Sequence, residues 1–176
     1  MSCVDITVRP LSGEEARRLV GALAEVLVDC VAGGASVSFM APLARERAEA
    51  YWRGIADGVT RGERVLLVAE EAPGAVVGTV QVVTDQPENQ PHRADVSKML
   101  VHRRARRRGV GEALMRAAEA AALEAGRTLL VLDTASDTAE RLYERCGWSR
   151  VGVIPGYALL PDGRPCDTTY FYKRLA

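Results

Sequence analysis

The sequence contains few of the residues that build metal sites, disulfide frameworks or membrane spans. Only four cysteines and two histidines occur among its 176 residues, and no cysteines form a Cys-x-x-Cys pair. We therefore expect neither a zinc cluster nor a disulfide-stapled fold. No apolar run approaches the roughly 18 residues of a membrane span, and residues 1–10 lack the regions of a signal peptide. These absences predict a cytoplasmic location and no membrane partner.

Charge is balanced overall but unevenly distributed. The 23 basic and 23 acidic side chains cancel, which argues against a wholly basic nucleic-acid-binding protein. Arginine outnumbers lysine by 21 to 2, and five arginines fall within residues 103–108. A neutral chain with one such cluster predicts a local anionic ligand. The length and the 48% of apolar residues predict a single domain over residues 1–176.

Hydrophobic periodicity and turn residues predict an α/β fold. A strand at 6–9 is expected to stop at Pro10, and a capping box of Ser12 and Glu15 begins a helix that ends at 33–34. Trp52 and Trp148 are expected in the core. The further predicted elements are helices at 43–55, 110–125 and 138–146, and strands at 65–70, 76–84, 94–101, 128–133, 149–153 and 169–173. This order predicts a mixed sheet with helices on both faces.

The segment 106–111, Arg-Arg-Arg-Gly-Val-Gly, lies between a predicted strand and a predicted helix. Glycines there let backbone N–H groups approach a ligand, a helix N-terminus favours phosphate, and arginines make bidentate contacts, so a diphosphate is the expected partner. The segment is not a Walker A loop, and Leu114 occupies the third glycine position of the dinucleotide fingerprint. A solvated basic turn and a nucleic-acid patch are the alternatives.

The pattern Arg-x-x-Gly-x-Gly after the apolar strand 99–101 resembles the acetyl-CoA loop of the GNAT superfamily of N-acetyltransferases. Residues 139–148, Ala-Glu-Arg-Leu-Tyr-Glu-Arg-Cys-Gly-Trp, are similar to the family's A-x-x-L-Y-x-x-x-G-aromatic helix. The resemblance covers residues 65–175. It implies a GNAT fold, with a mostly antiparallel central sheet that is splayed where acetyl-CoA inserts. It also implies acetyl-CoA as the cosubstrate of an acyltransferase.

Other segments carry a closer resemblance, to the tabtoxin-resistance acetyltransferases. They are residues 33–40, 93–99, 132–134, 155–157 and 161–164. The likeness implies that the acceptor is the primary amine of a small, amino-acid-like molecule, an antibiotic or toxin among them. An enzyme acting on a protein N-terminus or lysine, and a non-catalytic CoA-binding module, stay open as alternatives. So does the choice between a monomer and a homodimer; a nucleic-acid partner is not expected.

The GNAT resemblance implies three catalytic residues. Tyr143 matches the tyrosine that donates a proton to the CoA sulfur, and a core-packed aromatic is the alternative. Asp133 and Asp95 are the candidates for the base or for binding the substrate ammonium. Asp133 ends a strand where an open sheet binds ligands, although it could merely cap the following helix. Relatives usually have Glu at the position of Asp95. Because Asp is shorter, proton abstraction through a bridging water is favoured there over direct abstraction.

The resemblance also implies binding residues. A backbone N–H near Leu100 is expected to face the thioester oxygen. Ser136 stands where many relatives have an Asn that contacts CoA; it could make a weaker contact there or be just a helix N-cap. The loop 33–40 could be a substrate lid or an ordinary turn. The cofactor-binding candidates are Met99, Leu100, Val101, Arg106, Arg107, Arg108, Gly109, Val110, Gly111, Glu112, Ser136 and Tyr143. The substrate-binding candidates are Ser36, Phe39, Asp95, Asp133 and Tyr157.

Overall fold

The structure, a computed structural model, describes residues 6–176. Cys3 lies outside the described residues, and the other three cysteines are free thiols. The helices are α1 (Gly13–Arg18), α2 (Val20–Ala32), α3 (Arg45–Thr60), α4 (Val110–Glu124) and α5 (Asp137–Arg145). The strands are β1 (Thr7–Leu11), β2 (Arg64–Glu70), β3 (Val76–Val83), β4 (Arg93–Val101), β5 (Leu129–Thr134), β6 (Ser149–Leu159) and β7 (Pro165–Arg174). None of the helices in residues 6–176 has the length and apolarity that crossing a bilayer requires.

The seven strands form one sheet in the order β1-β2-β3-β4-β5-β7-β6. Every neighbouring pair is antiparallel except β4 and β5, which are parallel. Helices α1 to α3 cover one face, with Trp52 fully buried beneath them, and α4 and α5 cover the other, where Trp148 is buried. The prediction of a mixed, mostly antiparallel sheet between two helical layers is confirmed.

The first strand and the first helix differ from the prediction. Strand β1 does not stop at Pro10 but continues to Leu11; β1 is an edge strand, where a missing N–H costs no ladder hydrogen bond. The capping box is present, since Ser12 and Glu15 exchange both of its hydrogen bonds. The helix that it begins is interrupted at Leu19 and becomes two helices, α1 and α2.

The last two strands are about twice as long as predicted. They form an antiparallel ribbon whose outer strand, β6, is the edge of the sheet. Pro155 and Gly156, which follow the predicted strand 149–153, lie at a register shift within β6, where the Gly156 N–H donates to Asp167 Oδ1 at 2.8 Å. An edge position and a bulge are the two places where a strand accommodates proline.

Strand β4 carries a bulge that the sequence did not predict. Thr79 pairs with Leu100 and Gln81 pairs with Ser97, so β4 holds one more residue than β3 in this interval. Lys98 adopts φ 51°, an uncommon conformation for a residue with a side chain. The buried Thr79 hydroxyl donates to the Lys98 carbonyl at 2.9 Å and supplies the hydrogen bond that the bulge removes from the ladder.

Strands β4 and β5 separate soon after they meet. Their parallel pairing covers only 93–95 with 129–131. Beyond these residues β4 continues to Val101 and β5 to Thr134 without pairing with each other, so the sheet is splayed between them. Backbone N–H and C=O groups on that side of β4 are therefore available to a ligand.

Candidate active site

A cleft of about 990 Å³ occupies the space between the splayed strands. Its walls include residues 95–101 of β4, residues 131–136 at the end of β5 and just beyond it, the start of α4 and one face of α5. The cleft thus joins an unpaired strand edge to the N-terminus of a 15-residue helix. Such a helix end presents unpaired N–H groups and a partial positive charge, which together could hold a phosphate.

The turn before α4 depends on left-handed backbone. Arg107 has φ 61° and Gly109, the N-cap of α4, has φ 77°. A Cβ on Gly109 would meet no atom within 4 Å, so the backbone conformation, and not lack of space, accounts for glycine there. Gly111 differs, because a Cβ would lie 2.9 Å from Leu142 Cδ2. Glycine at 111 therefore lets α4 approach α5 closely.

The arginines of the 103–108 cluster divide into two groups. Arg103 bonds Asp29 at 2.9 Å, Arg104 bonds Glu25 at 3.3 Å, and Arg108 pairs with Glu71. Arg106 and Arg107 instead line the cleft. Acidic residues elsewhere in the fold thus pair with three of the five arginines, and the other two line the cleft.

Tyr143 lies in the wall of the cleft with 5% of its surface exposed. Its ring packs against Phe171 and Trp148, at centroid distances of 5.8 and 6.1 Å. Burial, together with the Asp133 charge, raises the pKa of Tyr143 well above its usual value. The hydroxyl has no hydrogen-bond partner among residues 6–176 and keeps its proton at neutral pH.

A second, smaller cavity of about 340 Å³ adjoins the cleft. The two cavities share Ser36, Ser38 and residues 133–135, while Phe39 and Tyr157 line only the smaller one. The loop between α2 and α3 forms one wall of it and is hydrogen-bonded to the end of β6 and to the β6–β7 turn. Ser36 Oγ donates to the Leu159 carbonyl at 3.3 Å, and the Ala41 N–H donates to the Pro161 carbonyl at 3.0 Å.

Phe39 serves the loop and the cavity together. Its ring meets the Tyr51 ring edge-on at 5.3 Å, and the Arg47 guanidinium lies 5.6 Å from its centroid. One part of Phe39 thus packs on α3 while another lines the smaller cavity. The sequence left two interpretations of this loop, a substrate lid or an ordinary turn with Phe39 packed in the core. Phe39 both packs against the fold and lines the cavity.

The two aspartates have different surroundings. Asp95 Oδ1 pairs with Arg93, and Asp95 Oδ2 accepts a 3.0 Å hydrogen bond from Gln86, so both oxygens are occupied. Asp133 Oδ2 accepts a 2.7 Å hydrogen bond from Thr168, while Oδ1 accepts none from residues 6–176. Asp133 lines both cavities and Asp95 lines only the larger.

The structure brings most of the sequence-predicted residues together. All of the cofactor candidates line the cleft except Arg108, whose guanidinium lies against Glu71. Ser136 lines the cleft and also caps α5, because its Oγ accepts from the Ala139 N–H at 3.3 Å. All of the substrate candidates line one or both cavities.

Sequence reasoning missed three residues of the site. Tyr170 lines the cleft beside Asp133, and its hydroxyl shares a 3.1 Å hydrogen bond with Tyr157 that raises the pKa of Tyr170 to about 12. Thr168 holds Asp133, and Lys98 extends from the β4 bulge. Strand alternation could have placed Thr168 and Tyr170 on one face, but no pattern in the sequence indicated the bulge.

A comparison with known families identifies the fold and its chemistry. The family model described as an acetyltransferase (GNAT) domain matches residues 62–150, which include β4, the arginine cluster, α4 and α5. The chain belongs to the GNAT family of N-acetyltransferases. Acetyl-CoA is the acetyl donor of this family, and the enzyme class predicted from the sequence is confirmed.

Individual relatives agree with this assignment. An uncharacterized N-acetyltransferase of Azospirillum brasilense is 32% identical over 144 residues, which are 81% of this chain and 82% of the relative. A phosphinothricin acetyltransferase of Sinorhizobium meliloti, solved with acetyl-CoA, is similar with TM-score 0.77 and 18% identity, over 97% of this chain and 89% of that one. A ribosomal-protein-alanine N-acetyltransferase of Brucella melitensis has TM-score 0.76 and 22% identity, over 96% and 99%.

The left-handed turn at Gly109 generates a test of the acetyl-CoA loop. We expect Gly109→Ala to cost about 1 kcal/mol of stability, the typical penalty for a side chain in this conformation, and to weaken acetyl-CoA binding roughly 10-fold as the loop relaxes. Gly126, at the other end of α4 with φ 72° and equally open surroundings, is the matched control. Gly126→Ala should lose similar stability in denaturant titrations yet bind acetyl-CoA normally by calorimetry. Equal affinities for the two variants would contradict the assignment.

Proposed function

We propose that this acetyltransferase transfers the acetyl group of acetyl-CoA to the primary amine of a small, amino-acid-like molecule, a class that includes amine antibiotics and toxins. The observation that carries the proposal is the position of Asp133, which lies where the long cleft meets the smaller cavity. In this proposal the cleft takes acetyl-CoA, the smaller cavity takes the acceptor, and the enzyme works in the cytoplasm.

The residues of the cleft fit a nucleotide thioester. The N–H groups at the start of α4 and the guanidinium groups of Arg106 and Arg107 would hold the diphosphate. The unpaired edge of β4, at 96–101, would bind the pantetheine arm through backbone hydrogen bonds, in the manner of an added strand. Acetyl-CoA supplies the activated acetyl group as a thioester.

The smaller cavity favours a small acceptor over a protein chain. The loop 33–44 forms one wall of it, and hydrogen bonds to the end of β6 and to the β6–β7 turn fix the position of that wall. A volume of about 340 Å³ lies at the low end of the range for small-molecule sites. The likeness to a phosphinothricin acetyltransferase points the same way, whereas the likeness to a ribosomal-protein-alanine acetyltransferase keeps peptides among the acceptors to be tested.

We assign the proton transfers to Asp133 and Tyr143. Asp133 Oδ1 accepts a proton from the acceptor ammonium, directly or through a water, and the neutral amine then attacks the thioester carbonyl. Thr168 orients the carboxylate through Oδ2. Asp95, each of whose oxygens already accepts a hydrogen bond from Arg93 or Gln86, adds negative charge to the cleft and is the less available of the two carboxylates.

Tyr143 donates to the sulfur as the carbon–sulfur bond breaks. The proton that it gives to the thiolate is replaced by the second proton leaving the nitrogen. The net products are the N-acetyl amide, CoA with a free thiol, and one proton released to solvent. Because its pKa is raised, Tyr143 stays protonated between turnovers.

A panel of acceptors tests the proposed function. Thiol release from acetyl-CoA should be measured with the twenty amino acids, phosphinothricin, spermidine, and peptides that carry an N-terminal alanine or an internal lysine. We expect at least one amino-acid-like amine to exceed every peptide in kcat/KM by 10-fold or more, roughly the discrimination that a shaped pocket provides. Preference for a peptide would overturn the small-molecule assignment, and acetyl-CoA binding without turnover of any amine would favour a non-catalytic module.

Removal of the Tyr143 hydroxyl tests the proton donor. We expect Tyr143→Phe to lower kcat about 100-fold, the usual contribution of a positioned acid, while acetyl-CoA affinity stays within about 2-fold. Tyr172→Phe is the control, because Tyr172 is 37% exposed and lines neither cavity. If Tyr143→Phe retained the wild-type kcat, the ring would serve only packing against Phe171 and Trp148.

Replacement of each aspartate by asparagine tests the base. Asp133→Asn should lower kcat/KM roughly 100-fold at neutral pH. Its deficit should shrink as the pH rises above the pKa of the acceptor amine, since the amine then arrives without the proton that Asp133 removes. Asp95→Asn, the matched variant, should lose less activity. A larger loss for Asp95→Asn, or a deficit in Asp133→Asn that does not change with pH, would reverse the assignment.

A further inference from the structure

Lys98 occupies an unusual position in the cleft. It lies at the bulge of β4, with φ 51°, and lines the cleft together with Ser38 and Asp133, both of which also line the smaller cavity. Its Nζ donates to Ser38 Oγ in the loop between α2 and α3 at 3.2 Å and lies 5.9 Å from the centroid of the Tyr51 ring. The bulge, the loop and α3 thus converge on one half-buried ammonium group.

The groups around Lys98 support its position without neutralising it. Tyr51 is held by the fully buried Gln81, whose Nε2 donates to the tyrosine oxygen at 3.1 Å, and Gln81 Oε1 accepts from Arg64 at 3.0 Å. The charge of Arg64 adds to the cost of a second cation nearby. Burial lowers the pKa of Lys98, while Asp133 is near enough to oppose that shift.

The other lysine of the chain shows how a structural lysine is treated in the same fold. Lys173 Nζ bonds Glu119 Oε2 at 2.8 Å and also donates to the Cys146 carbonyl. No carboxylate of residues 6–176 lies within ion-pair distance of Lys98, and Ser38 is its single hydrogen-bond acceptor in that range. An ammonium has three donors, so Lys98 keeps two of them for a ligand in the cleft.

We propose, on the basis of the function proposed above, that Lys98 is a specificity-determining residue that binds the carboxylate of an amino-acid-like acceptor while Asp133 receives its amine. The amine and the carboxylate of an α-amino acid are attached to one carbon. Their partners in the protein must therefore be of opposite charge and face the same space, and Lys98 and Asp133 both line the cleft, with the Asp133 carboxylate near enough to act on the Lys98 ammonium. Lys98 also donates a hydrogen bond to Ser38, so the residue that binds the carboxylate contacts the loop that lines the smaller cavity.

The test compares each amino acid that is turned over with the amine that lacks its carboxylate; for leucine this amine is 3-methylbutylamine. The measured quantity is the ratio of kcat/KM for the acid to kcat/KM for the amine. We expect Lys98→Met, which keeps the apolar stem, to lower this ratio roughly 10- to 100-fold, chiefly through KM for the acid, as loss of one charge-assisted hydrogen bond predicts. Lys98→Arg should restore part of the ratio.

The controls separate this inference from the proposed function and from a loss of folding. Lys173→Met removes the other lysine and should leave the ratio as in the wild type, and acetyl-CoA affinity and thermal midpoint report on folding of both variants. An unchanged ratio in Lys98→Met, with amino acids still turned over, would overturn the carboxylate role alone. An equal loss of kcat for the acid and for the amine would instead indicate that Lys98 acts in proton transfer from the amine, and would overturn the carboxylate role. Absence of turnover by the wild type with every amine would overturn the proposed function itself.

Discussion

The separation of β4 from β5 after three paired residues is the constraint on which the site depends. A fully paired parallel ladder would satisfy the backbone of β4 and leave no space between the strands. Because the ladder stops at residues 95 and 131, the same feature opens a cleft of about 990 Å³ and exposes a row of polar backbone groups along it. Helix α4 then brings its N-terminus to one end of this cleft.

The bulge in β4 adds a second consequence to the same strand. The extra residue relative to β3 turns Lys98 into the site, and the Thr79 hydroxyl satisfies the carbonyl that the bulge leaves unpaired. Lys98 also contacts the loop between α2 and α3, so the strand and this loop are linked through Ser38. In the proposed mechanism, the hydrogen bond between Lys98 and Ser38 therefore links the residue that binds the acceptor to the position of the loop.

In the proposed function, electrostatics divides the site into a cofactor side and an acceptor side. Three of the clustered arginines are paired with Asp29, Glu25 and Glu71, which leaves Arg106 and Arg107 at the cleft. The acceptor side carries Asp133 and, opposite in sign, Lys98. A chain with zero net charge thus holds two differently charged regions, which we propose receive the diphosphate of acetyl-CoA and an acceptor that carries both an amine and a carboxylate.

The sequence by itself determined the element order except for the break between α1 and α2, the glycine turn before α4, the capping box of Ser12 and the presence of Tyr143 and Asp133 in the cleft. Each of these depends on periodicity, backbone preference or a motif within about ten residues. Only the tertiary structure decided which arginines are paired, that β1 and β6 continue through proline, and that β4 bulges at Lys98. The contacts behind those outcomes join residues far apart in the chain, such as Arg108 with Glu71 and Lys98 with Ser38. No local pattern encodes them, because they exist only once the sheet and its helices have packed.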